Sequence, residues 1–391
     1  VAAATAAEVA VRTPAPALED VMTNLEAVAV EHDGVPVGCG DDVSVLEPRD
    51  VPLGGIRAMT VRRTLPQRAR SFIGAWCFLD HYGPDDVAVT GGMRVPPHPH
   101  TGLQTVSWLF SGEVEHRDSL GTHAFVRPGE LNLMTAGHGI SHSEDSTDAT
   151  RVLHGVQLWT VLPERHRDTA PRFDHHVPPA VPLEDGVVRV FLGTLAGSTS
   201  PVPTFSPLVG AEVVLGGGYS HTFDVDPSFE HGVLVDTGTV EVSGTPARDE
   251  GGAATAVGRD HLAYLPPGAG RLTLRAVGAD ARVVLIGGLP LDERIVMWWN
   301  FIGRDHDEVV AARTQWQTEI GADETAIRAD GDPLAGDTRG ADLAAPQGIP
   351  AGAVPSPSSG APTGRFGTVA GHPHPPLPAP PIPQHRLKPR G

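Results

Sequence analysis

Two short clusters, Pro97-His98-Pro99-His100-Thr101-Gly102 and Gly139-Ile140-Ser141-His142-Ser143-Glu144, each place two metal-ligating side chains at i and i+2. On an extended strand that spacing puts both side chains on one face. Three imidazoles and one carboxylate could therefore converge on a single ion. Such a donor set suits iron, manganese, nickel, cobalt or copper, and an octahedral ion would keep two positions for substrate or dioxygen. Open positions are what separate a catalytic metal from a structural one.

The tripeptide alone is weak evidence in a chain with 19 histidines, and His372-Pro373-His374 repeats it within a proline-rich tail, where it reads as an accident of composition. Context supports the first two clusters. His98 and His100 precede the β-rich run Thr105-Val106-Ser107-Trp108-Leu109-Phe110, and His142 follows the glycine-broken turn Ala136-Gly137-His138-Gly139.

A length of 391 residues allows two or three domains. A net charge of −18, from 29 basic and 47 acidic residues, opposes direct binding to nucleic acid or an anionic membrane. The sole lysine, Lys388, lies at the extreme C-terminus, which leaves Schiff-base, Walker-A and pyridoxal chemistry without a residue in the folded body. Two cysteines, Cys39 and Cys77, cannot build a disulfide framework and fit a cytoplasmic protein. No apolar run approaches the ~18 residues of a membrane span.

Residues 1–42 read as a mostly disordered extension, with a short helix at 18–30. Short β-rich runs follow at 56–61, 87–90, 105–110, 124–126 and 152–161, the rhythm of a sandwich or barrel. A polar, proline-rich stretch at 163–182 reads as a linker. Strand signals resume at 187–192, 211–215, 232–242, 261–265 and 282–286. Asp305, with Glu308 three residues on, predicts a capped helix over 305–317. Residues 321–391, rich in Pro, Gly and Ala, read as a disordered tail.

Residues 78–144 resemble the pirin family of two-domain cupins. The resemblance rests on Phe78-Leu79-Asp80-His81-Tyr82-Gly83-Pro84, on His98-Pro99-His100-Thr101-Gly102-Leu103-Gln104-Thr105 and on His116-Arg117-Asp118-Ser119-Leu120-Gly121. It also rests on the long run Pro128-Gly129-Glu130-Leu131-Asn132-Leu133-Met134-Thr135-Ala136-Gly137-His138-Gly139-Ile140-Ser141-His142-Ser143-Glu144. It implies an all-β chain of two tandem cupin (double-stranded β-barrel) domains with a short C-terminal helix and disordered termini. The expected division is 1–42 extension, 43–170 metal-binding cupin, 171–320 cupin-like domain with the helix, and 321–391 tail. The resemblance further implies one divalent ion per chain, iron first and manganese, nickel, cobalt or copper as alternatives, held by His98, His100, His142 and Glu144. His221 and His231 stand without an i+2 partner, so the second cupin is expected to be metal-free.

Other polar groups divide between pocket and packing. His116 and Asp118 read equally as groups orienting a ligand or as a buried pair, and His138 as a pocket group or a solvent-facing one. Met134, Trp108 and Cys77 read as wall and core, and Gln104 stands where cupins often carry Glu. Similarity to pirins implies a quercetin 2,3-dioxygenase-like enzyme acting on dioxygen and a flavonol or other enolisable compound, with Glu144 as both ligand and catalytic base. The rival implication is a non-enzymatic metal or redox sensor that regulates a protein partner, either through transcription or by binding a metabolic enzyme.

Overall fold

A computed structural model describes residues 43–53, 59–246, 253–322 and 364–391. The expected extension at 1–42, with its helix at 18–30, lies outside the described residues, as does most of the 321–391 tail. Two β-barrels follow one another, each made of a seven-stranded and a four-stranded antiparallel sheet. In the first, the large sheet runs in the order Arg172–His176, Leu131–Thr135, Leu103–Ser111, Val152–Val161, Trp76–Asp86, Met59–Leu65 and Arg49–Leu53. Its small sheet runs Arg94–His100, Ile140–Ser146, Val114–Asp118 and His123–Val126.

The second barrel repeats the plan with a small sheet of Ser220–Asp224, Arg271–Ala276, Thr239–Thr245 and Thr255–Gly258. Period-two patterning explains these strands: in Arg271–Ala276, Leu272, Leu274 and Ala276 are buried while Arg271, Thr273 and Arg275 are half-exposed. The two large sheets pack against each other through a shared core that includes Trp76, Leu79 and Trp108 from the first and Phe191, Leu234 and Ile286 from the second. Trp76 Nε1 donates across this seam to the Gly287 carbonyl at 3.1 Å.

Several expectations need correction. Residues 87–90 form a single helical turn, Val87–Thr90, because Asp86 caps it by accepting from the Ala88 amide. The run 232–242 is two strands, Glu230–Thr237 and Thr239–Thr245, broken at Gly238 with φ of 79°. The 163–182 linker holds two strands: Arg172–His176 edges the first large sheet and Ala180–Leu183 the second. Ser44–Leu46, placed in the first domain from sequence, pairs with Leu262–Leu265 in the second.

The helix His306–Glu319 forms as expected, with Asp305 accepting from the Glu308 amide. The tail reading fails over 364–391. This segment docks on the helix and on the Val296–Trp298 and Phe301–Gly303 hairpin through Phe366, Ala379 and Leu387. Trp316 Nε1 donates to the Leu377 carbonyl at 2.8 Å, and the Leu377 amide to the Pro97 carbonyl at 2.8 Å. A few well-spaced apolar residues were enough to hold a segment whose composition suggested disorder.

Candidate metal centre

The two histidine clusters lie on neighbouring antiparallel strands of the first small sheet. His98 stands opposite His142, and Ile140 opposite His100. His98, His100 and His142 are all buried on these strands, so the i and i+2 spacing of His98 and His100 places both on the same side. Gly102 and Gly137, with φ of 72° and 54°, turn the chain beside the ligands. A Cβ on Gly137 would sit 1.8 Å from the Thr169 carbonyl oxygen, so no other residue fits that turn.

The structure brings His98, His100 and His142 into one group whose nitrogens could share an ion. His100 Nε2 and His142 Nε2 are 3.0 Å apart, and the His98 ring centroid lies 4.3 Å from that of His142. His98 Nδ1 is 2.9 Å from the Pro96 carbonyl oxygen, which fixes the proton on Nδ1 and leaves Nε2 as a lone-pair donor. Burial holds all three imidazoles neutral: the His98 pKa is lowered to about 4, and those of His100 and His142 fall well below the usual histidine range. Neutral imidazoles are what a metal requires.

Glu144 joins from one side. Its carboxylate groups with His142 and His116, outside the set of three histidines. The reason is local: the pairing shifts register between His142 and Glu144, so Glu144 faces Val95 on one neighbour and His116 on the other. Burial raises its pKa, opposed by the charge of His116 and the hydrogen bond from Ser107. Ser107 Oγ lies 3.1 Å from Glu144 Oε1 and 2.9 Å from Gln157 Oε1, and its one proton can serve only one of them.

His116 backs the centre, with Nδ1 3.4 Å from His142 Nδ1 and Nε2 3.3 Å from Asp118 Oδ2. Asp118 also shapes the adjoining turn by accepting from the Leu120 and Thr122 amides. His138 is exposed, and its carbonyl accepts from Arg365 Nε. Gln104 is tied to Thr135 and Thr160, away from the centre. Trp108, Met134 and Cys77 are core, and burial pushes the Cys77 thiol far up.

A cavity of about 20 Å³ opens beside the ligands, lined by His98, His100 and Glu144 together with Phe78, Asp80, Tyr82, Met93, Val95, Gln157 and Trp159. Sequence reasoning missed Asp80, Gln157 and Trp159 as lining residues. Asp80 was visible within the Phe78-to-Pro84 motif, where Arg63 holds it bidentately at 2.6 and 2.7 Å. Gln157 and Trp159 carried no signal beyond the alternation of their strand.

Two antiparallel double-stranded barrels, the first carrying three inward histidines and a glutamate, define a two-domain cupin with a metal-binding type of site. Residues 58–160 match the Pirin family and residues 210–320 match the Pirin C-terminal cupin domain. The chain belongs to the pirin family. A Pseudomonas aeruginosa protein named "putative quercetin 2,3-dioxygenase" is 45% identical over 272 residues, 69% of this chain and 82% of that protein. A pirin-like protein of Caulobacter vibrioides is 34% identical over 284 residues, 70% of this chain and 92% of its own. Among solved structures, a quercetin 2,3-dioxygenase from Acinetobacter baumannii superimposes with a TM-score of 0.70 at 31% identity, covering 88% of this chain and 97% of that one.

Proposed function

We propose that this pirin is a metal-dependent dioxygenase acting on a flavonol or another enolisable compound, with His98, His100, His142 and Glu144 holding one ion, iron first. The observation that carries the reading is the meeting of three buried neutral imidazoles, with the buried carboxylate of Glu144 grouped with one of them, His142, and lining a cavity together with His98 and His100. Relatives named as quercetin 2,3-dioxygenases support it. A bound first-row ion would supply Lewis acidity toward an enolate oxygen and a route for electrons to dioxygen.

The chain's own residues supply the rest. Glu144 takes the enol proton, a role that needs a carboxylate within hydrogen-bond reach of the hydroxyl. Its hydrogen-bonding neighbour Ser107 orients the carboxylate. Phe78, stacked on Trp159 with centroids 4.1 Å apart, gives the cavity an aromatic wall beside His100. The acidic net charge supports the absence of direct nucleic-acid contact, and no helix among the described residues is long and apolar enough to cross a membrane. With two cysteines in 391 residues, we propose a cytoplasmic location.

One observation favours a second reading. At about 20 Å³ the cavity takes a water molecule or dioxygen, far below the ~300–1,000 Å³ of ordinary ligand pockets. A flavonol enters only if the lining moves. A centre with so little room beside it suits a redox sensor that signals to a protein partner. Oxygen uptake and carbon monoxide release by protein loaded with iron, manganese, nickel, cobalt or copper, over a panel of flavonols and other enols, separates the two. Uptake with ring opening is expected. No turnover with any metal, alongside specific capture of a protein partner, would replace the enzyme with the sensor.

A further inference from the structure

The motif Phe78-Leu79-Asp80-His81-Tyr82-Gly83-Pro84 carries a histidine that the first centre does not use. His81 lies on Trp76–Asp86 of the first barrel, where it meets His154 of the adjacent strand and Asp236 of the second barrel. Asp236 Oδ1 is 2.8 Å from His81 Nε2 and 2.6 Å from His154 Nε2, and the two Nε2 atoms are 3.4 Å apart. The side chains of His81 and Asp236 have no exposure and that of His154 is 7% exposed.

We propose that His81, His154 and Asp236 form a second metal site, a cross-link between the two cupin domains for a divalent ion of borderline softness such as zinc. Two imidazole nitrogens and one carboxylate oxygen are the donors such an ion prefers. Atoms this close together can share one ion at ~2.0–2.2 Å. Two of the three ligands sit at strand irregularities. Register shifts fall at His154 and between Val235 and Thr237, where Asp236 stands. Bulges of this kind re-aim a side chain out of the regular pleat.

The neighbouring groups fit a metal. Arg282 Nη1 lies 3.2 Å from Asp236 Oδ2, which leaves Oδ1 alone facing the histidines. Asp260, held in the left-handed region at φ of 69°, brings Oδ1 to 3.0 Å from His81 Nδ1. The same Oδ1 is 2.9 Å from Arg62 Nε, so this carboxylate stands behind the His81 ring, between it and an arginine. Neither barrel contains the whole donor set, since His81 and His154 belong to the first and Asp236 to the second, and one ion per chain then describes the first centre only.

The test does not depend on what the first centre catalyses. In the full-length variant His98→Ala/His142→Ala, which disables that centre, calorimetric titration with Zn2+ should show one equivalent bound and a melting temperature raised by several degrees. Adding Asp236→Asn should abolish both. Absence of Zn2+ binding in the double variant, or its persistence after Asp236→Asn, overturns the proposal. If the triple variant does not fold, Co2+ titration of the wild-type apoprotein decides through its visible absorption. Two equivalents are expected, and a single equivalent that His154→Gln leaves unchanged shows a proton-held ion pair instead.

Discussion

The Pro96 carbonyl sets the tautomer of His98, and burial strips the charge from all three imidazoles, so the first centre is poised for a metal at the level of single atoms. His142 stands between His100 and His116 and uses both ring nitrogens. His142→Ala should therefore remove most bound metal, read by elemental analysis, while the β-sheet circular dichroism stays. Full metal retention would mean that the ion sits elsewhere. Glu144→Gln should lower turnover more than metal content, because glutamine can still offer an oxygen to the ion but cannot take a proton at neutral pH. In the second barrel, His231 is buried with neither ring nitrogen hydrogen-bonded, and burial lowers its pKa to about 4. A histidine held neutral contributes stability above its unfolded pKa near 6.5, and that contribution is lost as pH falls from about 6.5 through about 4. His231→Phe should make urea unfolding less sensitive to pH across that window. An unchanged pH profile would show that the ring is not held neutral.

At the scale of elements, the ligand-bearing strands are braced from outside by the C-terminal segment. Ser141 Oγ donates to the Phe366 carbonyl at 3.0 Å, and His372 Nε2 lies 2.8 Å from Asp145 Oδ2. Phe366 itself is fully buried against Phe301 and Trp316. Phe366→Ala should cost about 3 kcal/mol, in the range for emptying a buried phenylalanine site, and equilibrium urea unfolding measures it. A loss under about 1 kcal/mol would mean that the segment contributes little to the fold. The His-x-His pairs and the Asp305 cap were legible because each is a local pattern whose geometry follows from one element. The docking of 364–391 was not, since composition reports average hydropathy and misses three apolar residues placed to meet Trp316 and Phe301. Nor was the register shift that turns Glu144 toward His116. It arises from pairing between strands, which no single strand's sequence encodes.

For the whole molecule, the two barrels act as one body because their large sheets share a core and the first described strand, Ser44–Leu46, belongs to the second barrel's sheet. Tandem barrels were visible in the rhythm of strand signals and in the pirin-like motifs. The seam between them was not, because the contacts of Trp76 with Gly287 and of His81 with Asp236 join residues far apart in the chain. The proposed dioxygenase needs an ion held in the first barrel on His98, His100 and His142 with Glu144 beside it. A crystal structure of the iron-loaded protein, with diffraction collected at the iron absorption edge, tests this directly. An anomalous peak ~2.0–2.2 Å from one nitrogen of each of the three histidines is predicted. A well-ordered barrel with metal-loaded crystals and no peak among those imidazoles would contradict it.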